Sequence, residues 1–380
     1  MDPINGRSKS MSRERLGVAV VGAGYWGPNL IRNFLASEDW ELLAVCDLDV
    51  DRARSIVRDR PDVAVLSSLE ETLALDGLDA VAIATPAGTH RGLAIQALRH
   101  GKHVLVEKPL AHDVESGRAM VRTAAENGLV LMADHTYCYT PAVTKIRELV
   151  ADGALGEVLF IDSVRINLGL IQPDVDVLWD LAPHDLSVFD FILPGGLDPV
   201  GVSAHGADPL GAGKACVGHL NLPLKNGAMA HVHVNWMSPT KIRQMVIGGS
   251  ERTLVWDDLN LVQRVSVYDR GVELIDKPSS GAERAARTIA YRVGDTWAPA
   301  LEEREALSSM VGEYAASIRE RRTPRTDGTA GLRILGILEA AGQSMAMSGG
   351  MVTLEGRDPG ADGSREDGRT LVGSGGRVGA

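Results

Sequence analysis

Residues 16–35 read LGVAVVGAGYWGPNLIRNFL, and this stretch decides the fold. The Val-rich run 16–21 has the length and composition of a buried β-strand, and the residues after position 29 have the apolar character of a helix. Between the two lie three glycines in the pattern G-x-G-x-x-G, namely Gly22, Gly24 and Gly27. In a strand–turn–helix unit, these glycines permit a tight turn, close approach of a pyrophosphate and close helix–strand packing. The stretch therefore predicts a dinucleotide-binding unit, with Tyr25 and Trp26 in the same loop.

An acidic residue follows the second predicted strand. Asp47 comes 20 residues after Gly27, where a carboxylate can accept hydrogen bonds from the adenosine ribose and would repel a 2′-phosphate. The position therefore favours NAD over NADP. Arg52 and Arg54 lie close enough in the sequence to weaken this argument, so NADP is kept as the second choice.

Short apolar runs alternate with helical stretches over residues 16–134. Runs at 41–46, 79–84, 103–106 and 129–133 have the composition of strands buried on both faces of a parallel sheet. A helix is predicted over residues 90–100, with Thr89 as its cap. This alternation is typical of a doubly wound α/β domain.

The pattern changes after Asp134. A helix over 141–151 and a long strand over 158–167 are followed by several strand-like runs without intervening helices. Consecutive strands of this kind indicate a mainly antiparallel sheet, and hence an α+β domain over residues 135–355. Two further helices are expected at 302–321 and 330–347. The polar ends, residues 1–15 and 356–380, are predicted to be disordered.

Composition narrows the range of functions. The chain has 380 residues and a net charge of −11, which disfavours nucleic acid as a partner. Its three cysteines are scattered, as expected in a reducing compartment. The sequence shows neither a signal peptide nor an apolar run long enough to span a membrane, so a cytoplasmic location is expected. His231 and His233 share a strand face, but no neighbouring carboxylate or cysteine completes a metal site, so none is assigned.

A more specific motif occurs at residues 101–111, which read GKHVLVEKPLA, and Thr85, Pro86 and His90 lie upstream of it. Together these residues resemble the glucose–fructose oxidoreductase/inositol dehydrogenase (Gfo/Idh/MocA) family, whose pattern includes T-P-x-x-x-H and G-K-H-V-x-x-E-K-P. The resemblance covers residues 16 to about 347. It implies a Rossmann domain followed by a large open antiparallel sheet, through which a homodimer or homotetramer would form. It also implies that the cofactor is contacted by Thr85, Pro86, His90 and Glu107.

Lys108 is the first candidate catalytic and substrate-binding residue. It precedes a proline, which favours extended backbone, and it ends a parallel strand at the edge where open α/β sheets bind ligands. The resemblance implies a cis peptide bond between Lys108 and Pro109.

The second candidate group lies in residues 179–185, which read WDLAPHD. Asp180 and His184 are four residues apart and would share one face of a helix. Because Pro183 belongs in a first turn, the helix is expected to begin at Asp180 or Leu181. In one interpretation Asp180 is then only an N-cap and His184 only a first-turn residue.

The resemblance favours an acid–base pair instead, in which Asp180 orients His184. The helix N-terminus would keep His184 neutral near pH 7. Many relatives have glycines before this motif, whereas this chain has none at 174–178, so the shape of the substrate site is left open. Tyr137, Arg165 and Asn167 are further candidates for binding substrate, with a structural role as the alternative for each.

The resemblance implies an NAD(P)-dependent dehydrogenase that acts on a secondary alcohol of a sugar. Residues 24–30, GYWGPNL, are similar to family members that oxidise nucleotide-linked sugars at carbon 3. The family also includes glycosidases that retain NAD and dinucleotide-bound regulators without catalytic activity. The presence of Lys108, Asp180 and His184 argues against a regulator, but the sequence does not separate a dehydrogenase from a glycosidase.

Overall fold

The computed structural model describes residues 15–172, 174–276 and 287–354. The ends predicted to be disordered, 1–15 and 356–380, lie outside these ranges except for Arg15. The first sheet has six strands: β1 (Leu16–Val21), β2 (Trp40–Cys46), β3 (Ala64–Leu66), β4 (Leu78–Ile83), β5 (His103–Glu107) and β6 (Leu131–Asp134). All its strand pairs are parallel, in the order β3-β2-β1-β4-β5-β6. This is the doubly wound order of dinucleotide-binding folds and confirms the predicted fold class.

Helices connect the strands of this sheet. They are α1 (Gly27–Ala36), α2 (Val50–Ile56), α3 (Leu69–Leu73), α4 (Ala87–Arg99) and α5 (Val114–Glu126). The predicted start of α4 was wrong by three residues, because Pro86 rather than Thr89 precedes the first turn. Thr89 lies within that turn and donates its hydroxyl to the carbonyl of Pro86. The sequence pattern also missed β3, whose three half-buried residues lie at the sheet edge.

The second sheet has nine strands and a mainly antiparallel arrangement, also as predicted. Its strands are β7 (Val158–Leu168), β8 (Gly201–Ala207), β9 (Val217–Pro223), β10 (Met229–Asn235), β11 (Met237–Gly249), β12 (Thr253–Asp257), β13 (Val265–Asp276), β14 (Arg287–Trp297) and β15 (Val352–Thr353). Their order is β14-β13-β12-β11-β7-β10-β9-β8-β15, and only β7 and β10 pair in parallel.

Four more helices flank the two sheets: α6 (Pro141–Ala151), α7 (Val177–Ile192), α8 (Ala306–Glu320) and α9 (Gly328–Ala346). Helix α7 packs on β9 and β10, where Ala230, Val232 and Val234 are fully buried. The alternate residues of β10 point to the opposite face, as the sequence pattern predicted. Helices α8 and α9 pack back against α1 and α5 of the first sheet. None of the helices in the described ranges has the length and hydropathy required to cross a membrane.

Candidate active site

The glycine loop joins β1 to α1. Gly22 has φ +100°, in the left-handed region, and a Cβ there would lie 2.5 Å from the carbonyl oxygen of Ala84. A Cβ on Gly27 would lie 2.1 Å from the carbonyl oxygen of Gly22. Gly24 differs, because a Cβ there would meet no heavy atom within 4 Å. Gly22 and Gly27 therefore allow the chain to close tightly, while Gly24 leaves its backbone accessible, which fits the approach of a pyrophosphate.

Asp47 is held directly against this loop. Its carboxylate accepts hydrogen bonds from the backbone N–H of Ala23 at 2.6 Å and of Asp49 at 2.8 Å, and from the Arg52 guanidinium at 2.8 Å. Burial acts to raise the pKa of Asp47, but these hydrogen bonds outweigh it and the pKa is lowered. The carboxylate is therefore ionised near neutral pH and placed beside the loop that would receive a dinucleotide.

The two aromatic residues of the loop have different environments. The indole N–H of Trp26 donates to Asp134 Oδ2 at 3.1 Å, which ties the loop to the end of β6. Tyr25 is 92% exposed and makes no such contact. Trp26 therefore orders the loop, and Tyr25 is left with a free ring at its surface.

Thr85, Pro86 and His90 form a turn at the end of β4. The hydroxyl groups of Thr85 and Thr89 lie 2.7 Å apart. The buried His90 ring faces two carbonyl oxygens, Pro109 O at 3.0 Å and Thr85 O at 2.8 Å. His90 therefore braces the turn by donating to one of these carbonyl oxygens, and its contact with the cofactor stays a prediction.

Glu107 ends β5 next to Asp134 of β6, its partner in the strand register. Its Oε2 accepts the backbone N–H of Lys108 at 2.8 Å, while Oε1 is buried without a hydrogen-bond partner. Burial and the neighbouring Asp134 raise the pKa of Glu107 well above its usual range. Both causes favour the protonated form of this carboxyl, which lies at the edge of the sheet where a ligand would lie.

Lys108, which follows β5, forms an ion pair with Asp180 of helix α7. The Lys108 ammonium lies 2.9 Å from the backbone oxygen of Asp180 and 3.1 Å from its Oδ1, and the peptide bond before Pro109 is cis. Oδ2 of Asp180 accepts the indole N–H of Trp236 at 3.0 Å. The carboxylate thus orients Lys108, and it makes no hydrogen bond to His184, contrary to the predicted acid–base pair.

Helix α7 begins earlier than the sequence suggested. Asp176 caps it by accepting the N–H groups of Leu178 at 2.9 Å and Trp179 at 3.0 Å. The helix therefore starts at Val177, and Pro183 lies in its second turn rather than its first. Asp180 is not the N-cap, and His184 is too far from the helix end for the predicted effect of the helix dipole.

His184 is kept neutral by a different cause. Burial lowers the pKa of His184 well below its usual value, and four neighbouring cationic or ionisable groups add to the shift: Lys108, Arg165, His135 and Arg243. Its Nδ1 is buried and makes no hydrogen bond, which leaves Nε2 as the nitrogen on the accessible side of the ring. An alcohol that reaches Nε2 would therefore meet a proton acceptor.

The three additional candidates have different surroundings. Tyr137 packs edge-on against His184, with ring centroids 5.2 Å apart, and the Arg165 guanidinium lies 4.5 Å from the Tyr137 ring centroid. Arg165 is buried in a double hydrogen-bonded ion pair with Asp185, at 2.8 and 3.1 Å. This pair gives Arg165 a structural role. Asn167 lies further along the same strand face, and its half-buried amide makes no hydrogen bond to any described residue.

Sequence reasoning missed several residues of this site. Trp236 ends the alternating run that predicted β10, but nothing in the run pointed to a bond with Asp180. His135 directly follows β6, and ligands bind at the ends of strands in such sheets, so its position could have indicated a role in the site.

On the exposed face of the second sheet, the His219 and His233 rings stack with their centroids 4.3 Å apart. The described residues contain no group of three or more His, Cys, Asp or Glu side chains placed to hold a metal ion.

Known proteins match the same two regions. Residues 16–135 match an oxidoreductase family with an NAD-binding Rossmann fold, and residues 143–255 match the GFO/IDH/MocA C-terminal domain. The chain is 28% identical over 322 residues to UDP-N-acetylglucosamine 3-dehydrogenase of Acidithiobacillus ferrooxidans, which covers 83% of this chain and 93% of that protein. A crystal form of that enzyme has a TM-score of 0.72 at 26% identity, covering 87% of this chain and 98% of the other. GenD2 from gentamicin A biosynthesis, in complex with NAD, has a TM-score of 0.73 at 25% identity, covering 93% and 100%.

Proposed function

The chain belongs to the Gfo/Idh/MocA oxidoreductase family, and from this premise we propose that it is an NAD-dependent dehydrogenase of a nucleotide-linked sugar, acting at carbon 3. One observation carries the proposal. The Lys108 ammonium, at the carboxyl end of β5, is anchored by Asp180 of α7, and a neutral His184 lies one helical turn further along the same helix; the glycine loop opens at the same edge of the first sheet. A proton acceptor and a cation at one edge suit the oxidation of an alcohol.

The first sheet supplies the features that a dinucleotide requires. The accessible backbone at Gly24 would receive the pyrophosphate at the start of α1, and Asp47 would accept hydrogen bonds from the adenosine ribose. Glu107 and the turn at Thr85 and Pro86 would line the nicotinamide end. When bound, the nicotinamide accepts or supplies the hydride. The ionised Asp47 supports NAD as the preferred cofactor.

The residues of the site divide the chemistry of the substrate oxygen. His184 Nε2 accepts the hydroxyl proton. The lowered pKa of His184 keeps this nitrogen unprotonated and therefore able to accept it. Lys108 donates a hydrogen bond to the same oxygen and stabilises the negative charge that develops on it. Asp180 and Trp236 hold the ammonium in place for this contact. Tyr137 and Asn167 would border the sugar.

Two features support a nucleotide-linked sugar as the substrate. The relative with 28% identity is named for oxidation of UDP-N-acetylglucosamine at carbon 3, and its similarity extends over most of both chains. Arg243, in register with Arg165 on the neighbouring strand, is half-buried near His184 and only loosely paired with Asp258 at 3.6 Å. A cation in this position suits a substrate that carries phosphate groups.

The exposed face of the second sheet supports a homodimer or homotetramer. Phe160 and Met229, which pair in the strand register, are 38% and 47% exposed, and Leu168 at the end of β7 is 71% exposed. Apolar side chains on an open sheet face are typical of an interface. Light scattering on the purified protein measures the mass directly, and a monomer would contradict this assignment.

The decisive assay supplies NAD⁺ with UDP-N-acetylglucosamine and a panel of related nucleotide sugars. We expect the absorbance of NADH to rise together with a product that lacks two hydrogen atoms by mass spectrometry. Cleavage of the glycosidic bond without accumulation of NADH would instead indicate an NAD-retaining glycosidase. Binding of NAD⁺ with no conversion of any sugar would favour a regulator.

Replacement of Asp47 by Ala tests the choice of cofactor. Loss of charged hydrogen bonds to the ribose is expected to weaken NAD⁺ binding about 10- to 100-fold, since such bonds contribute about 1.5–3 kcal/mol. The change also releases Arg52, so NADP⁺ affinity should fall less or rise. Asp51→Ala, at an exposed acid in the first turn of the following helix α2, is the matched control. Calorimetric titration that showed NADP⁺ preferred by the parent protein would refute the assignment.

A further inference from the structure

Four of the ten histidines lie on the outward face of the second sheet. His205 of β8 is in register with His219 of β9, which is in register with His233 of β10. The His219 and His233 rings stack with their centroids 4.3 Å apart and their planes 11° from parallel, and the His231 ring centroid lies 5.8 Å from that of His219. These four side chains, which we call the histidine row, form a cluster away from the candidate active site.

The face around the histidine row is flat and carries little charge. Apart from the histidines, the only acidic or basic outward side chain of β7, β9 and β10 is Asp162, in register with His231. The Phe160 ring covers Gly248 of the next strand, where a Cβ would lie 2.0 Å from it. A sheet face in contact with water is normally polar, so this face has the character of a surface that is covered.

The size of the face suits a second copy of this chain. Seven strands lie side by side from β13 to β8. With a spacing of about 4.8 Å and a length of about seven residues, they present about 800 Å². Two such faces in contact would bury about 1,600 Å², the area of a typical stable interface. A two-fold axis brings the same surface of each copy together, so the two histidine rows would be covered in one contact.

The histidine row is compatible with such a contact only while its imidazoles are neutral. Burial, and then the neighbouring histidines, lower the pKa of His219 and of His233. The neighbours that act on these two rings are His205, His231 and each other's stacked partner, and no carboxylate is among them. Each protonated ring would therefore face like charges a few ångströms away. A covering copy would exclude water and disfavour the protonated form further.

We propose that the histidine row lies in a face-to-face interface with a second copy of this chain, and that its protonation separates the two copies in mildly acidic solution. The proposal rests on the homo-oligomer of the proposed function and adds the group that controls it. Association is favoured while the rings are neutral and is lost as the pH falls below about 6.5, the ordinary pKa of histidine. If each copy takes up one proton on separation, the dissociation constant rises about 100-fold per pH unit.

Sedimentation velocity tests this directly. The full-length protein with bound NAD⁺ is measured from pH 8.0 to pH 5.5, and circular dichroism at each pH reports whether the chain is still folded. We expect an oligomer at pH 7.5 and folded species of lower mass at pH 5.5. An oligomer of unchanged mass in the folded protein at pH 5.5 would overturn the switch.

Variants of the histidine row give opposite expected results. His219→Lys places a fixed charge at the centre of the row, so this variant should have a lower mass at pH 7.5, where no acid is needed. A double variant, His219→Phe with His233→Phe, retains two rings that cannot be protonated and should stay associated at pH 5.5. His100→Gln removes an exposed histidine at the end of α4 and should dissociate at the same pH as the parent protein.

The outcomes separate this proposal from the proposed function. A monomer at every pH would refute the homo-oligomer and the role of the histidine row together. Dissociation of the double Phe variant at the same pH as the parent, or a fully associated His219→Lys variant at pH 7.5, would overturn only the switch. Helix α7, which carries His184, packs on the inward face of β9 and β10, so NADH formation by His219→Lys at pH 7.5 should stay within about twofold of the parent. Absence of NADH formation in the parent protein would instead contradict the proposed enzyme and leave the switch standing.

Discussion

Turnover should fall about 10²- to 10⁴-fold when His184 is replaced by Gln, the range expected for loss of a general base. His184 Nε2 faces the accessible side of the ring, and the lowered pKa keeps it unprotonated. Gln has a similar length, but its amide is not basic enough to accept the hydroxyl proton. Because His184 lies on helix α7 and not in the glycine loop, the affinity for NAD⁺ should be unchanged within about twofold. Stopped-flow kinetics and fluorescence titration measure the two quantities.

The pH dependence provides a check on the same residue. Burial and the surrounding cations lower the pKa of His184, so the base is already available at pH 6. Activity should therefore stay level from pH 8 to pH 6 and fall only in more acidic solution, as His184 becomes protonated. An ordinary histidine would lose about half its activity near pH 6.5. His233→Gln, on the exposed face of the second sheet, is the control and should retain full turnover.

The parts of the structure that are determined by residues close together in the sequence were predicted correctly. The glycine loop was predicted because Gly22, Gly24 and Gly27 all lie within six residues at the spacing that a dinucleotide-binding turn requires. Each of the three has the expected environment in the structure. The bounds of β1 and α6 agree with the prediction. Gly22 directly follows β1, and Pro141 occupies the first position of α6, where it marks the start of the helix. The alternation in β10 predicted its buried face correctly.

The errors share a different physical origin. Pro183 was assigned to a first turn because its ring disfavours a helix interior, but Asp176 caps two N–H groups and begins the helix one turn sooner. Asp180 was paired with His184 because they share a helix face, yet its charge is satisfied by Lys108, 72 residues away in sequence. Such a long-range pair is set by the packing of helix α7 against the end of the first sheet, which no local sequence pattern predicts.

Arg165 shows the same limit. Its position at the end of a long strand suggested a substrate contact, and Asp185 directly follows His184. The two side chains form a buried pair, so the cation is neutralised within the protein. A buried, hydrogen-bonded ion pair of this kind positions β7 against α7, and removal of one partner would leave an uncompensated charge.

Replacement of Lys108 by Met should lower kcat about 10²- to 10³-fold, the effect expected for loss of one donor to a developing oxyanion. The ammonium is about one-fifth exposed and donates to the backbone oxygen and to Oδ1 of Asp180, so its position is set before substrate arrives. Met has a similar length and packs in the same space, but it leaves Asp180 with only the Trp236 indole as donor. A modest fall in melting temperature is therefore expected together with the loss of rate.

Two companion variants separate the loss of rate from the loss of stability. Lys102→Met removes another half-buried lysine from β5's N-terminal side, where it donates to Leu78 O at 2.8 Å, and should keep full turnover. Trp236→Phe removes a single hydrogen bond to Asp180, so it should reduce kcat only about 3- to 10-fold, by loosening the orientation of Lys108. If Lys108→Met folds and keeps kcat within about threefold of the parent, the oxyanion is stabilised by another group. If Trp236→Phe loses as much rate as Lys108→Met, the indole contacts the substrate itself and Asp180 is not an anchor for the lysine.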